Sequence, residues 1–308
     1  MKLKGFDLEQ MIYSLVFNIP APCPGNKKVC VNSDLFNLEF KLTPINQIPN
    51  SSTDIKSILK LKVNGIFDIL KFVILEVPVI FFGLDKLTLS NIVKSFEELL
   101  FPFSYPFPVI ELLPKVYYKS LEKLNCFLVG INEKYTNDFF EINDINLNDK
   151  EYVIVNLSEE VPTISYKKKK IEKYSKNEVS FSKHYSEKAM KNINKLIMGK
   201  NMKINEIEEH EIRYIFFYFF ISLFQNYKSY LKLNPNQLIQ YFKDVENNKI
   251  EVNQIFKYQE FISKDMDSLD FYGFLMNTKI FKNFLIKNLY PSTIEDKLGI
   301  LFLDENIS

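Results

Sequence analysis

Short apolar runs alternate with amphipathic segments along the first half of the chain. Residues 77–82 and 126–131 are continuous apolar runs, which are typical of strands buried on both faces of a sheet. Residues 90–100 place apolar side chains three and four positions apart, which predicts a helix. Residues 152–155 predict a further strand. This alternation predicts an α/β fold with helices on both faces of a sheet.

Weaker patterns fill in the rest of the first half. Residues 132–150 are polar and rich in Asn and Asp, and we expect a loop there. Pro78 has no amide proton to donate, so regular strand pairing should begin at Val79. Further helices are predicted at 8–16, 55–59, 66–73 and 115–124, and further strands at 29–31, 38–42 and 109–113.

The pattern changes after residue 157. Residues 158–185 are polar, with four consecutive lysines at 167–170, and they predict a linker or loop. Long helical patterns follow, at 206–231, 236–243, 254–262 and 271–289. We therefore expect an α/β region at 1–157, a polar lysine-rich linker at 158–185, and a helical region at 186–308 packed on the same lobe. The predicted fold is a mostly parallel central sheet of about five strands flanked by helices, followed by an all-helical section.

The composition excludes several classes of function. The 39 basic and 38 acidic residues give a net charge of +1, which excludes a generally basic nucleic-acid-binding chain, though not a local patch. The chain has two histidines, eight glycines and three cysteines without CxxC spacing. It contains no nucleophile elbow, phosphate-binding loop, dinucleotide fingerprint or zinc-protease motif. We therefore predict no catalytic residue, no cofactor and no metal site, and a protein that acts through a binding surface.

Two segments bear on membranes. The most apolar stretch, residues 214–224, is well short of the roughly 20 residues that span a bilayer, so we interpret it as a buried helix in a cytoplasmic protein. The lysines at 167–170 could contact anionic lipid. Glu172 and the polar residues around it favour a solvated loop instead, so a peripheral contact is the most that this run suggests.

Arg213 is the only arginine among the 39 basic residues. Its planar guanidinium can bind two acceptors at once, which a lysine ammonium cannot do in the same way. We hypothesise that Arg213 forms an intramolecular salt bridge or binds a backbone carbonyl at the base of the long helix. Glu209 is one possible partner, and a residue elsewhere in the chain is another.

One stretch resembles a known family. Residues 99–103 (LLFPF) lead through Tyr105 and residues 108–110 to residues 112–114 (LLP), and then to residues 127–131 (FLVGI). This order is similar to the central region of DENN domains, where an L-hydrophobic-[FY]-P-[FLM] segment precedes a strand ending in LP. An apolar strand ending in G-[IV] comes next in that family.

The resemblance extends along nearly the whole chain in the expected order. Each segment is mostly apolar packing, so the ordered combination carries the resemblance. The other matching segments are 12–25, 76–81, 152–157, 213–231, 256–262 and 277–284. At residues 156–158, family members often have aspartates where this chain has Asn156, Leu157 and Ser158.

The resemblance implies a guanine-nucleotide exchange factor for Rab-type small GTPases in vesicle trafficking. Such factors bind the GTPase switch regions between an upstream longin-like lobe and a downstream lobe, and they favour the nucleotide-free state. Exchange then follows from differential binding, without covalent chemistry or a cofactor. The implied location is cytoplasmic and peripheral at vesicle membranes.

The proline-rich turn at residues 20–25 lies close to the first residue, where family members would already have an upstream lobe. Either that lobe is encoded in another chain, or it belongs to further sequence upstream, or the protein works without it. The alternative is a non-catalytic DENN-like scaffold, a Rab-binding subunit that needs a partner chain. An unrelated helical adaptor at a membrane surface is a third possibility.

Four residues are candidates for contact with the GTPase. Glu76 leads into an apolar strand, either as a polar anchor near the GTPase or as a carboxylate bonded to backbone at a helix end. Phe103, Tyr105 and Phe107 alternate with prolines. Aromatic side chains in such a rigid connector either anchor a partner or fill the rim of the core.

Overall fold

The computed structural model describes residues 28–32, 37–41, 48, 53–143, 150–159, 161–167, 178–200, 204–232, 255–263 and 268–289. The chain divides into two compact units, Met1–Asn50 and Ser51–Ser308. The helices predicted at 8–16 and 236–243 lie outside the described residues.

The first unit contains an antiparallel strand pair. Strand β1 is Lys28–Asn32 and strand β2 is Asn37–Lys41. Lys28 lies opposite Lys41, and Asn32 lies opposite Asn37. Both strands were predicted from the sequence, and both predictions are confirmed.

The second unit is built on a five-stranded sheet. Its order is β4-β5-β3-β6-β7; the first four strands are parallel, and β7 is antiparallel to β6. This confirms the predicted mostly parallel sheet. The strands are β3 (Val79–Gly83), β4 (Val109–Ile110), β5 (Leu128–Asn132), β6 (Tyr152–Asn156) and β7 (Thr163–Lys167). Pairing of β3 begins at Val79, as the preceding proline predicts.

Helices surround this sheet and make up the rest of the described part of the unit. The α-helices are α1 (Lys62–Ile74), α2 (Lys86–Leu99), α3 (Thr136–Asn143), α4 (Lys183–Ile197), α5 (Glu206–Leu223), α6 (Tyr258–Ile262), α7 (Leu269–Leu275) and α8 (Lys279–Leu289). Short 3-10 helices lie at Ile55–Leu61, Lys115–Lys123, Glu133–Tyr135 and Tyr227–Tyr230.

Both faces of the sheet are covered by helices. On one face, the Phe81 ring stacks on Phe96 of α2 with centroids 5.4 Å apart, and Phe72 of α1 stacks on Tyr166 of β7 at 5.4 Å. On the other face, Phe82 contacts Phe139 of α3 at 5.7 Å. Every residue of β3 is buried as a result, which explains its uninterrupted apolar sequence.

The C-terminal helices extend the core beyond α1 and α2. Phe67 of α1 contacts Phe216 and Phe219 of α5 with ring centroids 5.3 and 5.1 Å apart. Phe103 packs between α5 and α8, with its ring 5.7 Å from Phe220 and 4.7 Å from Phe284. Offset and edge-to-face ring pairs of this kind add to the free energy of apolar burial.

The predicted loop at 132–150 is wrong for its first part, which forms a 3-10 turn and helix α3. Asn132 caps the turn by accepting a hydrogen bond from the Lys134 amide at 3.2 Å. Phe139 is fully buried and also contacts Tyr118 at 5.3 Å. One buried aromatic in a polar segment holds this helix through tertiary packing, which overrides local propensity.

The polar segment 158–185 also contains structure that its composition hides. Strand β7 pairs antiparallel with β6 inside the predicted linker. Thr163, Ser165 and Lys167 are exposed, whereas Ile164 and Tyr166 are partly buried. This alternation is the pattern of a strand with one solvated face, and three polar positions out of five obscured it.

The single helix predicted at 271–289 is two helices, α7 and α8. The Thr278 hydroxyl accepts a hydrogen bond from the Phe281 amide at 3.1 Å, which caps the start of α8. The helix predicted at 206–231 ends at Leu223, and Asn226 just beyond it has a left-handed φ of 62°. The apolar periodicity predicted continuous helices at these positions, and the capping interactions end them earlier.

Arg213 links the helical region to the sheet layer. Its Nη1 donates to Glu98 Oε2 of α2 at 2.9 Å, and its Nη2 donates to the Thr53 carbonyl at 2.9 Å. The Thr53 hydroxyl donates to the other Glu98 oxygen at 2.8 Å. The contacts are of both kinds that the sequence suggested, a salt bridge and a bound carbonyl. The acidic partner is Glu98, whereas Glu209 pairs with Lys56 at 3.4 Å.

Gly130 marks the tightest backbone packing in the sheet. A Cβ at this position would lie 2.2 Å from the carbonyl oxygen of Glu111 and 3.0 Å from the Leu89 side chain. The Gly130 carbonyl also accepts a hydrogen bond from the Leu113 amide at 2.8 Å. The segment after β4 can therefore follow β5 only because residue 130 has no side chain.

Gly130→Ala should lower the free energy of unfolding by about 3 kcal/mol or more, because the methyl group must displace backbone rather than a flexible side chain. Urea unfolding measures this change. Gly83→Ala is the matched control, since a Cβ there makes only ordinary contacts at 3.7 Å; it should change the value by less than about 1 kcal/mol. Equal effects of the two variants would contradict the steric argument.

Arg213→Lys should lower the free energy of unfolding by about 1–2 kcal/mol, because one ammonium cannot bind both Glu98 and the Thr53 carbonyl in this geometry. Thermal and urea melts test this. Lys94→Met is the control, since Lys94 forms a partly exposed ion pair with Glu97 on the same helix as Glu98, and its loss should cost less than about 1 kcal/mol. An unchanged melting curve for the Arg213 variant would disprove the role assigned to its guanidinium.

Candidate interface at the carboxyl edge of the sheet

The four residues predicted to contact a partner all precede strands. Glu76 comes shortly before β3, and Phe103, Tyr105 and Phe107 come before β4. Since β3 and β4 are parallel members of one sheet, all four lie toward its amino edge. The structure thus brings them to the same end of the sheet.

Two of these four side chains face the interior. Phe103 is 4% exposed and packs among the aromatic rings of α5 and α8. Tyr105 is also buried, and its hydroxyl lies 3.0 Å from the Cys126 sulfur. Burial raises the pKa of Tyr105, so its hydroxyl stays neutral. In this structure both aromatics fill the core.

Glu76 connects α1 to α8. It follows the end of α1 with a left-handed φ of 57°, a conformation that costs a residue with a Cβ about 1 kcal/mol. The Val77 amide donates to the Phe72 carbonyl at 2.9 Å, closing the turn as in a Schellman motif. The Glu76 carboxylate accepts a hydrogen bond from the Ile280 amide at 2.8 Å, in the first turn of α8, where a negative charge is stabilised by the helix dipole.

Phe107 is partly buried beside the same helix start. The Lys279 ammonium lies 5.6 Å from its ring centroid, within the range of a cation–π contact. The Tyr105 ring lies 5.5 Å away. Glu76 and Phe107 therefore meet at the first turn of α8, and both contact residues of the chain itself.

Exposed apolar side chains mark the opposite edge of the sheet. Six of the nine large hydrophobic side chains exposed in the described part of the chain follow the carboxyl ends of parallel strands. They form what we call the carboxyl-edge surface: Leu84 and Leu87 after β3, Val116 and Tyr117 after β4, Tyr135 after β5, and Val161 after β6.

The sheet topology places these six residues along one edge. The strand order β4-β5-β3-β6 makes the four strands consecutive neighbours, so the segments that leave their carboxyl ends are neighbours too. A salt bridge of 2.7 Å from Lys115 to Asp138 ties the segment after β4 to helix α3 after β5. Exposed apolar side chains on neighbouring connections, together with the exposed charges of Lys86, Lys134 and Glu159, make this edge a candidate protein-binding surface.

The chain reverses its direction of winding at the centre of this edge. The connection from β3 passes through α2 on one face of the sheet, and the connection from β5 passes through α3 on the other face. In open α/β sheets, ligands bind outside the carboxyl ends of strands at such a point. The buried Asn132 amide fills the gap by donating to the Leu84 carbonyl at 3.2 Å.

The Asp85 carboxylate occupies the place where a phosphate would bind in a nucleotide site. It accepts hydrogen bonds from the Leu87 and Thr88 amides at 3.3 and 3.1 Å at the start of α2. The Thr88 hydroxyl and these amides hold the pKa of Asp85 below its usual value. Helix amides that already bind a carboxylate are closed to phosphate, so this edge favours a protein ligand.

The pattern of the sequence missed the carboxyl-edge surface. Each of its residues is an isolated apolar position in a polar connection, which contributes nothing to helix or strand periodicity. The signal that could have revealed it is the placement of Leu84, Tyr135 and Val161, each a few residues after a predicted buried strand. Parallel pairing then puts such positions on one edge.

The described residues provide neither a membrane-spanning helix nor a metal-binding cluster. In that part of the chain, none of the helices has both the length and the apolar character needed to cross a bilayer. The same residues contain no group of three or more His, Cys, Asp or Glu side chains arranged to hold a metal ion.

Substitutions at Glu76 separate its backbone strain from its capping role. Glu76→Ala should lower the free energy of unfolding by about 1–2 kcal/mol, because it loses the bond to the Ile280 amide and keeps the left-handed φ. Glu76→Gly loses the same bond but relieves the strain, so it should be more stable than the alanine variant by about 1 kcal/mol. Urea melts of the two proteins give the comparison, and an alanine variant as stable as the glycine variant would rule out the strain.

The family comparison agrees with this architecture. The model of the DENN (AEX-3) domain matches residues 2–160, which is more than half of the chain and includes β3 to β6, their connecting helices and most of the carboxyl-edge surface. The segment in which Phe103, Tyr105 and Phe107 alternate with prolines lies within the match, and so does strand β5 with its glycine. The chain therefore belongs to the DENN (AEX-3) domain family.

Proposed function

We propose that this protein binds a Rab-type small GTPase and accelerates release of its nucleotide in vesicle trafficking. Membership of the DENN (AEX-3) domain family is the observation that carries the proposal, because the resemblance implies GTPase exchange activity. The carboxyl-edge surface supplies an exposed apolar contact region of the kind that such a partner needs.

Exchange of this kind requires selective binding and no bond-making chemistry. A surface that binds the nucleotide-free GTPase more tightly than the loaded form must lower nucleotide affinity by the same factor. A rigid scaffold suits this task, because it selects one conformation of the GTPase switch regions. Leu84 and Leu87 are connected to the buried strand β3, so their positions are fixed by the core.

The residues of the amino edge have a supporting role in this proposal. Phe103 and Tyr105 are buried in the core, and Glu76 and Phe107 bind residues of α8. Their part is to hold α8 against the sheet layer. The protein is proposed to act in the cytoplasm, peripheral at the vesicle membranes that carry its GTPase.

The proposal can be tested by release of a fluorescent GDP analogue from a panel of purified Rab proteins. The chain should be assayed alone and together with an upstream longin-like lobe. Acceleration on at least one Rab is the expected result. Rab binding without acceleration would favour the non-catalytic scaffold, and neither binding nor acceleration on any Rab would reject the proposed function.

The variant Leu87→Asp tests whether the GTPase binds at the carboxyl-edge surface. It should lower the exchange rate on the responsive Rab by about tenfold or more, because it places a charge in the centre of an apolar interface. Initial release rates at several protein concentrations measure the effect.

Ile207→Asp is a matched control for that variant. Leu87 and Ile207 are 70% and 76% exposed, and each is the second residue of a helix, α2 or α5. Aspartate therefore has the same favourable interaction with the helix dipole in both variants. The control should keep its rate within about twofold of the original protein, well inside the effect expected for a contact residue. Equal loss in both variants would exclude the carboxyl-edge surface as the contact.

A further inference from the structure

Positive charge is concentrated in one part of this nearly neutral chain. Residues 167–200 contain eleven lysines and three glutamates, a net charge of +8. Because the whole chain carries +1, the remaining residues carry −7. Within this range, helix α4 carries four lysines and one glutamate, so positive charge is in local excess even though the net charge of the protein is small.

Helix α4 arranges part of this charge as a stripe. Lys188, Lys191 and Lys195 are exposed and lie three and four positions apart, so they share one face of the helix. Ala189 and Ile193 on the opposite face are buried. The three lysines span about 10 Å along the helix axis and form what we call the α4 lysine face.

The lysines of this face lack acidic partners. Lys188, Lys191 and Lys195 form no ion pair with any residue that the structure describes, whereas Lys115 and Lys200 elsewhere bind Asp138 and Glu208. Like charges three and four positions apart on a helix repel one another. This repulsion is reduced when the face lies against an external surface of negative charge.

We propose that the α4 lysine face docks the protein onto an anionic phospholipid bilayer. Lysine ammonium groups suit a diffuse plane of negative charge, whereas bidentate recognition of single phosphates is the role of arginine. Met198, at the end of α4, is 80% exposed and supplies an apolar side chain that can enter the interfacial region.

Two observations favour a bilayer over nucleic acid. The α4 lysine face has only lysines as its charged members, which lack the planar guanidinium that stacks on bases, although the rings of His184 and Tyr185 lie on the preceding turn of the helix. It also lies on a single helix whose other side is buried, and a row of charges along one helix meets a flat surface side-on.

The α4 lysine face and the carboxyl-edge surface are separate regions. The aromatic residue just before α4, Phe181, packs on Phe67 of α1 and Phe219 of α5, with ring centroids 6.3 and 5.0 Å apart. The carboxyl-edge surface consists of connections after the strands and the first turn of α2. Membrane docking by this face therefore does not depend on the exchange activity, and it assigns a surface and a lipid chemistry to the peripheral membrane contact proposed above.

Co-sedimentation of the full chain with lipid vesicles tests the inference. Vesicles that contain phosphatidylserine should bind the protein, and vesicles of phosphatidylcholine alone should not. The triple variant Lys188→Glu, Lys191→Glu, Lys195→Glu should partition onto the anionic vesicles on the order of a hundredfold less than the original protein, because each lysine near the surface contributes independently. Higher ionic strength should weaken the original binding.

A second triple variant controls for net charge. Lys60→Glu, Lys119→Glu and Lys123→Glu change the charge by the same amount at exposed positions of other helices, and this protein should keep its vesicle binding within about threefold, because distant charges are screened. If the glutamates prevent folding of α4, glutamine can replace the three lysines instead. That variant should also bind anionic vesicles more weakly than the control variant, with a smaller loss of binding than the glutamate variant.

Three results would overturn the inference. They are equal binding to neutral vesicles, equal loss in the two triple variants, and tighter binding to duplex DNA than to anionic vesicles at the same ionic strength. Because the GDP-release assay uses soluble Rab proteins, a failure on vesicles leaves its outcome unaffected, and the two proposals fail separately.

Discussion

The burial of strand β3 on both faces is the constraint on which the rest of this structure depends. Its parallel neighbours β5 and β6 satisfy its backbone, but its side chains require an apolar cover above and below the sheet. Helices α1 and α2 cover one face, and the 3-10 helix Lys115–Lys123 together with α3 covers the other. Helix α1 is itself apolar on its outer side and needs α5, so one core extends from the sheet into the C-terminal helices. Partners are then left with the edges of the sheet and the outer faces of the last helices.

The sequence predicted this framework because a continuous apolar run favours a buried strand and a 3.6-residue apolar period favours a helix. It failed where a single tertiary contact decides the structure, as with Phe139 in α3, or where capping does, as with Thr278 before α8. The contact candidates show a related ambiguity. In the sequence, an aromatic residue between prolines has the same appearance whether it faces a partner or the core, and Phe103 packs in the core. Leu84, Tyr135 and Val161 are distant in sequence, and only the strand order brings them to one edge.

The predominance of lysine makes the surroundings of each basic residue more informative than its identity. Arg213 is nearly buried and binds two acceptors at once, which explains why an arginine stands there. Lys200 is paired with Glu208, whereas the three lysines of the α4 lysine face have no ion pair within the described part of the chain. Sequence composition could not distinguish these settings. In the structure, some basic residues form ion pairs within the chain, and the lysines of the α4 lysine face point toward solvent.

Gly130 carries a lesson about how relatives of this chain are identified. The glycine in the middle of β5 is one of the features by which the chain resembles its family, and it is required because the neighbouring backbone leaves no room for a side chain. That requirement comes from the close approach of the segment after β4 to strand β5, whatever partner the protein binds. A descendant could therefore exchange every residue of its exposed edge, change or lose its partner, and still be recognised as a member. Family membership is a record of packing, and the choice of partner is encoded where packing imposes no restriction.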